Sequence, residues 1–483
     1  MSETIVVVGG GFSGVITAVH ALRQTRAPLT IQIIEPRPQL GAGLAYSTDH
    51  PEHRLNVPAH RMVLFDEEPN HFHDWFVGNA LHLNDPGCDG GGGNLFAARA
   101  VFARYVRNVL ERASDAAPHP CRVVHHRARA ADIEADSGGG WRVMMDDGTS
   151  VVGDDVVVCI GHTSTTAPSP FDRAAISEAG RVVGDPWDAP AIRAFGPDAR
   201  ILILGQGLTM GDVLSTLEAL RHRGPVVAVS RRGLLSRAYA DSTKTSVPFD
   251  NLPDDTTASA VVAMMRAACA DAIRTGNSWN SVIETTREQG AALWCRLAPG
   301  EQRRLIRHAR VFWDAHRYRM APQVAGAIER ARNEGRLRLV SGRVTGAEPA
   351  VAGVDVEIRL RLCDGGAVLR AQFDAIVSCV GPIHDVARID NPFIRALLQR
   401  GLARAHTTGL GFEVDRSNAL VGERGPSTGL HAVGPLTRGA CGDIVGAPEI
   451  SRQARFVAAG VLNRLGDLTR RPVAAQKSAH QAA

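Results

Sequence analysis

The chain has 483 residues, 44% of them hydrophobic and 22% charged, with a formal net charge of +4. That length suits about three domains of ordinary size, or two with an insertion, and the composition is that of a globular protein. The weak charge and the scattered arginines argue against a nucleic-acid partner. None of the eight cysteines forms a CxxC pair, which argues against a zinc knuckle or a redox dithiol. No apolar run reaches the roughly 18 residues that cross a bilayer. No charged leader precedes the first apolar run at Ile5, so a cytoplasmic protein is expected.

In chain order, "TIVVVGGG", "FSGVITAVHALRQT" and "LTIQIIEPR" predict a strand, a glycine-rich turn, a helix and a second strand. A loop-rich stretch from Arg37 to Asp85 leads into the glycine run between Gly87 and Gly93, read as a surface loop. "RAVFARYVRNVLERA" has helical spacing, with Val101, Tyr105, Val106 and Leu110 on one side. "WRVMMDDGTSVVGDDVVVCIG" predicts a hairpin turning at Asp147–Gly148, followed by a buried strand. A second βαβ unit starts at "ARILILGQGLTMGDVLSTLEALRHRGPVVAVSRRG". From Leu252 to Asn333 strand signals vanish, and "TASAVVAMMRAACADAIR", "EQRRLIRHARVFWDAHRYRM" and "APQVAGAIERARNEG" predict three helices. This block is read as a pocket wall, a contact in a homo-oligomer, or structural filler. Strands return with "LRLVSGRVTGAE", "VDVEIRLRLCDGG" and "FDAIVSCVGP"; a strand, a glycine-rich loop and a helix close the chain before a polar tail.

The two glycine-rich turns carry the chemistry. Gly9, Gly11 and Gly14 form GxGxxG between a strand and a helix, and Glu35 ends the next strand about 20 residues on. The spacing suits a dinucleotide: one glycine for the turn, one for approach of the pyrophosphate, one for helix–strand packing. The helix start, with Phe12 and Ser13, supplies unpaired N–H groups to phosphate, and Glu35 can accept from ribose hydroxyls. In the second unit Gly205 and Gly207 match, Met210 stands at the third glycine with Gly211 next, and Thr209 lies at the helix start. Its next strand ends in Ser230, Arg231 and Arg232 where the first unit has Glu35. Guanidinium groups pair with a 2′-phosphate that a carboxylate would repel, so the second unit is assigned NADPH. The first is assigned FAD, because the late stretch "LHAVGPLTRGACGDIVGAPEISRQA" offers a closing piece for an interrupted flavin domain. In it Gly434, Pro435 and the helix start Pro448, Glu449 and Ile450 are the flavin-contacting candidates, the positive helix end favouring a reduced flavin anion.

These stretches, together with "LGAGLAYS", "HRLNVPAHRM", "VSRRGLL" and "DAHRYRMAP", resemble the YdhS-like FAD/NAD(P)-binding proteins, a bacterial flavoprotein family. The resemblance implies a fold similar to class B flavin monooxygenases and amino-acid N-hydroxylases. That fold is α/β, with two nested Rossmann-like dinucleotide-binding domains and, here, a helical insertion in the second. The expected division is 1–168 and 346–467 for FAD, 185–345 for NADPH with the insertion at about 252–333, and a flexible tail 468–483. There are two departures: the linker motif of class B flavin monooxygenases has a histidine that "GRVVGDPWDAP" lacks, although Gly184 and Trp187 are present, and "ACGDIVGAPE", with Cys441, Gly442 and Asp443, stands where the family usually shows an aromatic-acidic pair.

Disulfide reductases are set aside by the missing CxxC, and single-Rossmann hydroxylases by the second unit. The reading is therefore an FAD-dependent, NADPH-using oxidoreductase, a monooxygenase that uses molecular oxygen to hydroxylate a small polar substrate such as an amino acid or amine. Its rivals are a non-catalytic redox sensor and an electron-transferring flavin reductase. In "HRLNVPAHRM", Asn56 is a candidate for hydrogen bonding flavin or substrate, His60 for proton handling, and Arg54 or Arg61 for a substrate carboxylate. No metal site is expected: His308 and His316, eight apart and able to share a helix face, find no third ligand, and Arg317 beside them is read as packing.

Overall fold

The structure is a computed structural model, and it describes residues 3–161, 167–173, 176, 181–241, 247, 249, 252–253, 255–349, 356–363 and 366–470. The chain begins with β1 (Glu3–Val8), α1 (Phe12–Gln24) and β2 (Leu29–Ile34), the expected βαβ unit. A loop region with the short helix α2 (His71–Gly78) leads to α3 (Arg99–Asp115) and β3 (Cys121–His126). A three-stranded antiparallel sheet, β4 (Ala130–Ala135), β5 (Trp141–Met145) and β6 (Ser150–Gly153), contains the hairpin anticipated at Asp147–Gly148. β7 (Asp155–Val158) then enters beside β1, in parallel register from Ile5↔Asp155 to Val8↔Val158.

The chain next builds a second sheet from β8 (Val182–Val183), β9 (Ile201–Leu204) and β10 (Val226–Ser230), with α4 (Ala189–Arg193) and α5 (Leu208–Ala219) between them. Among the described residues five helices follow before the next strand: α6 (Ala258–Arg274), α7 (Trp279–Arg296), α8 (Pro299–His308), α9 (Arg310–Arg317) and α10 (Pro322–Asn333). Two points differ from the three helices expected. The stretch from Glu301 to Met320 breaks at Ala309, so His308 and His316 lie on different helices. α7 was not anticipated; Ser278 caps it, the side chain accepting from the Asn280 N–H at 3.2 Å.

β11 (Leu337–Pro349), β12 (Val356–Leu362), β13 (Val368–Phe373) and β14 (Ala375–Ser378) complete the second sheet, in the order β13-β12-β11-β10-β9-β14-β8. The return to the first sheet was expected at 346. It comes after Ser378 instead, because β14 pairs in parallel with β9 and the β12–β13 hairpin extends β11. After α11 (Pro392–Gln399), β15 (Ala419–Gly422) and β16 (Gly425–Ala432) rejoin the first sheet, ordered β15-β16-β7-β1-β2-β3. The short α12 (Arg438–Cys441) and the long α13 (Ala447–Arg470) close the described chain; the tail expected from 468 lies, beyond Arg470, outside the described residues.

The central strands β7, β9 and β14 are buried along their whole length, as apolar strands covered on both faces must be. On the first sheet, α1, α3 and α13 cover one face and the small sheet with α11 the other. On the second, α5 and α10 pack together on one face. The seam between β7 and α13 is fixed by charge. Asp155 is fully buried and takes the Arg464 Nε–H at 3.0–3.1 Å, with His431 Nε2 at 3.5 Å. Asp155→Ala would strip the carboxylate from a guanidinium that is itself only a quarter exposed. The variant is expected to lose about 3 kcal/mol of stability, read as a lower denaturant midpoint.

Candidate functional site

At the end of β1 the chain turns through Gly9 at φ +104°, and a Cβ there would lie 2.7 Å from the Cys159 carbonyl at the end of β7. Only glycine serves both needs. A Cβ on Gly14 would come within 1.9 Å of the Gly9 carbonyl, so α1 could not approach β1 with any side chain at that position. Glu35, buried at the end of β2, accepts from the Gly10 N–H at 3.0 Å and from the Arg37 N–H at 3.1 Å. The carboxylate thus braces the turn that a ribose would share. A second glycine bend, in "LGAGLAYS", lies against the first: the Gly41 N–H donates to the Gly10 carbonyl at 2.8 Å. The Gly43 Cα sits 3.1 Å from where a Gly11 Cβ would be. No side chain caps α1 at Gly11, which leaves the first-turn N–H groups around Phe12 and Ser13 for a ligand. These features form a narrow backbone cradle of the kind that receives a diphosphate.

The end of the chain reaches this cradle. β16 pairs with β7 from Leu430↔Val156 to Ala432↔Val158, and the turn after it passes over α1. Gly434, at φ +103°, would place a Cβ 2.6 Å from Ser13 Oγ, so the structure brings these two candidate residues together from opposite ends of the sequence. The Gly434 N–H is held by Gln453 Oε1 at 2.8 Å, and Pro435 is buried behind it. In the first turn of α13, beside Pro448, the Ile450 N–H donates to the Gly446 carbonyl at 3.0 Å, while Glu449 turns its side chain toward Arg287 and Arg317.

The second sheet repeats the turn. Gly205 has φ +117° and lies against the Cys379 carbonyl at the end of β14, as Gly9 does against Cys159. Gly207 is exposed with open space where a Cβ would stand; no side chain caps α5, and Thr209 is half-buried in its first turn. Met210 is fully buried in the core, and it is Gly211 that allows the close helix contact, with Val324 of α10 at 2.6 Å from its missing Cβ. Ser230 donates to Gln206 Oε1 at 3.0 Å and accepts from the Gly233 N–H at 3.0 Å, so it shapes the turn. Arg231 and Arg232 are exposed beside it, and the Arg232 guanidinium rests 5.1 Å from the Phe312 ring centre.

The loop "HRLNVPAHRM" is distributed differently from the expectation. Asn56 is half-buried, and among the described residues its amide has no hydrogen-bond partner. His60 is half-buried, and burial, then the neighbouring Arg61 charge, lowers its pKa below the ordinary value. Neither arginine considered for a substrate carboxylate is vacant: Arg54 is clamped by Asp85, and Arg61 pairs with Glu284 of α7. Glu284, nearly buried, also takes Arg319 and Arg287. Burial alone would raise its pKa; Arg287, Arg319 and Arg61 outweigh that and hold it below its ordinary 4.5. The network continues from Arg287 to Glu449, and beside it Arg438 and Tyr318 both donate to Asp443. Arg317, expected as packing, is a buried member of this cluster.

Sequence reasoning missed Glu284, Arg287, Arg319 and Arg438. The alternation Arg317-Tyr318-Arg319 was a visible signal; nothing near Glu284 in the sequence indicated that it meets Arg61 and Arg319.

Residues 6–163 match the family model described as FAD-NAD(P)-binding. An L-aspartate N-monooxygenase (nitrosuccinate-forming) from Streptomyces cremeus is 27% identical over 290 residues, 51% of this chain and 42% of that protein. The match thus spans less than half of that relative's length. Among solved structures, L-lysine 6-monooxygenase from Pseudomonas syringae superposes with a TM-score of 0.62 at 16% identity, over 96% of this chain and 99% of that one. An ornithine N-hydroxylase from Kutzneria sp. 744, with reduced FAD, NADP+ and L-ornithine, gives a TM-score of 0.60 at 15% identity, over 96% and 100%. No helix among the described residues is long and apolar enough to cross a membrane.

Two measurements test the geometry. Gly14→Ala is expected to cost several kcal/mol, about 3 or more, since backbone must move, and to abolish tight ligand retention at the first turn; unchanged thermal stability would contradict it. Because the Glu284 pKa is lowered on folding, its contribution is full above pH 4.5 and is lost as pH falls through the depressed value. Glu284→Gln should therefore flatten the acid limb of the stability–pH profile, read from denaturant midpoints. Residues 6–163 thus match an FAD-NAD(P)-binding family model, in a chain whose fold is that of solved amino-acid hydroxylases.

Proposed function

We propose that the chain is an FAD-containing, NADPH-using monooxygenase that hydroxylates the nitrogen of a small amino acid or amine. One observation carries the reading: two glycine turns each follow a strand paired in parallel on both sides and open an uncapped helix, in a chain whose fold matches N-hydroxylases over nearly its full length. The curated relative, an aspartate N-monooxygenase, supports the same reaction class. In this reading the first sheet with its returning strands forms the FAD unit. The second sheet, β8 to β14, forms the NADPH unit nested within it, and α6 to α9 are its insertion.

The residues suit the groups they would hold. Gly9, Gly11, Phe12, Ser13 and Gly14 would receive the FAD diphosphate, Glu35 the ribose, and the Gly434–Pro435 turn with the α13 start the far side of the flavin. Gly205, Gly207 and Thr209 would receive the NADPH diphosphate, with Ser230, Arg231 and Arg232 at the 2′-phosphate. FAD, when bound, supplies the redox chemistry, taking two electrons from NADPH and passing them to oxygen. The balance is one oxygen atom in the hydroxylated nitrogen product, the other in water, and NADP+ released. The chain's own task is to bind, orient and keep water out. Asn56, with its free amide, is suited to orient substrate, and His60, kept largely neutral at pH 7, can accept a proton from the amine.

Purified protein should be yellow, and NADPH oxidation and oxygen uptake should rise with an amino acid or amine that emerges as a hydroxylamine or further oxidised product. Flavin reduction without substrate-dependent turnover would favour a sensor; electrons passed to an acceptor without oxygen insertion would favour a reductase. Replacing both Arg231 and Arg232 by Ala should raise KM for NADPH about tenfold to a hundredfold and leave NADH nearly unaffected. Equal effects on both coenzymes would remove the 2′-phosphate assignment.

A further inference from the structure

The turn after β10 is fixed at several points. Ser230 Oγ donates to Gln206 Oε1 at 3.0 Å and accepts from the Gly233 N–H at 3.0 Å. The Gln206 amide, buried in the core, has only one orientation open to it, because its Nε2 donates to the carbonyls of Ala228 at 2.7 Å and Val340 at 3.0 Å. The Arg231 carbonyl accepts from the Cys363 thiol, just after β12, at 3.1 Å. Gly233, at φ +65°, lies so near β11 that a Cβ would stand 3.0 Å from that of Ser341. The Ser230 hydroxyl has a single proton and gives it to Gln206, so it has none to offer a phosphate. Anion recognition at this turn falls to Arg231 and Arg232.

Both arginines are exposed, and among the described residues neither guanidinium pairs with a carboxylate. Arg54 and Arg61 show the contrast, since carboxylates of the chain take their N–H groups. Arg232 is held in another manner. Its guanidinium lies over Phe312 of α9, 5.1 Å from the ring centre. An aromatic face attracts the cation but has no lone pair to accept its N–H groups, so the guanidinium is placed while its donors stay free. Phe312 is 47% exposed, and its turn of α9 is itself fixed. Its N–H donates to the Ala309 carbonyl at 3.0 Å, and its own carbonyl lies 2.7 Å from His316 Nδ1. The His316 ring in turn meets Trp279 of α7 edge-on, with 5.0 Å between ring centres. The platform under Arg232 therefore belongs to the helical insertion and stands apart from the strand that carries the arginine.

We infer that Phe312 is a positioning residue for the coenzyme's 2′-phosphate: it holds the Arg232 guanidinium ready, and through it the helical insertion strengthens the preference for NADPH over NADH. The inference rests on the NADPH reading of the second unit and gives a task to a segment whose sequence suggested only a wall, a contact or filler. An arginine loses side-chain freedom when it grips a ligand, and one already laid on a ring has lost part of that freedom beforehand. The benefit reaches only a ligand that Arg232 touches. A coenzyme without the 2′-phosphate gains nothing from it.

The test is calorimetric binding of adenosine 2′,5′-bisphosphate and of 5′-AMP to the FAD-loaded protein, in which the flavin keeps both probes from the first unit. The wild type should prefer the bisphosphate. Phe312→Leu keeps an apolar side chain and removes the ring. It should weaken the bisphosphate about threefold to tenfold and leave 5′-AMP unchanged, whereas Phe312→Tyr should bind both probes as the wild type does. In an Arg232→Ala background Phe312→Leu should change nothing further, because its effect runs through that guanidinium alone. Should Phe312→Leu fold poorly, Phe312→Met makes the same comparison. The inference is overturned if losing the ring leaves bisphosphate affinity intact, weakens both probes alike, or costs as much with Arg232→Ala as without it. A wild type that binds the two probes equally would remove the NADPH assignment together with the inference. A wild type that discriminates while the ring-less variants match it would remove the inference alone.

Discussion

The pairing of β16 with β7 is the contact on which the rest of the architecture depends. It draws the end of the chain back into the sheet that the beginning started, across the whole of the second sheet. Once Leu430 to Ala432 lie beside Val156 to Val158, the next turn has to cross α1, where Gly434 meets Ser13. The following residues then run toward α7 and α9 and assemble the charged cluster. The fully buried Asp155, held by Arg464 of α13 and next to His431 of β16, secures the same seam by charge. A buried ion pair of this kind adds little net stability over apolar packing but penalises every arrangement that separates its partners.

The two sheets solve one steric problem in the same way. Gly9 and Gly205 each turn against the carbonyl of a cysteine that ends the neighbouring parallel strand, Cys159 and Cys379. In both, the helix that follows starts at a glycine without a side-chain cap. They part at the next strand. The first ends in a buried carboxylate that braces its own turn; the second ends in a serine that does the bracing through Gln206, with two exposed arginines beyond it. The two turns therefore differ in the charge that they present.

Between the sheets the chain gathers guanidinium groups from segments that share no local pattern. Arg61 comes from a loop, Arg287 from α7, Arg317 and Arg319 from the end of α9 and just beyond, and Arg438 from α12. Burial raises the energetic stakes of every contact in such a cluster, because unpaired charges there lose water and gain nothing in return.

The sequence by itself determined the elements whose cause is local. Gly9, Gly11 and Gly14 with Glu35 announced the first turn, the apolar runs announced the buried strands, and Arg231 and Arg232 announced a second turn of different charge. Backbone sterics and hydrophobic periodicity act over a few residues, so they are legible in a few residues. Tertiary structure decided the rest. α7 was missed because its spacing is weakly amphipathic and much of it is buried by neighbours distant in sequence. The return to the first sheet was placed too early because β12 to β14 look alike whichever sheet they join. Arg317 was read as packing because its surroundings, Asp443 and Glu449, lie more than a hundred residues away. Which charges meet depends on distances in space, and those exist only once the distant strands have paired.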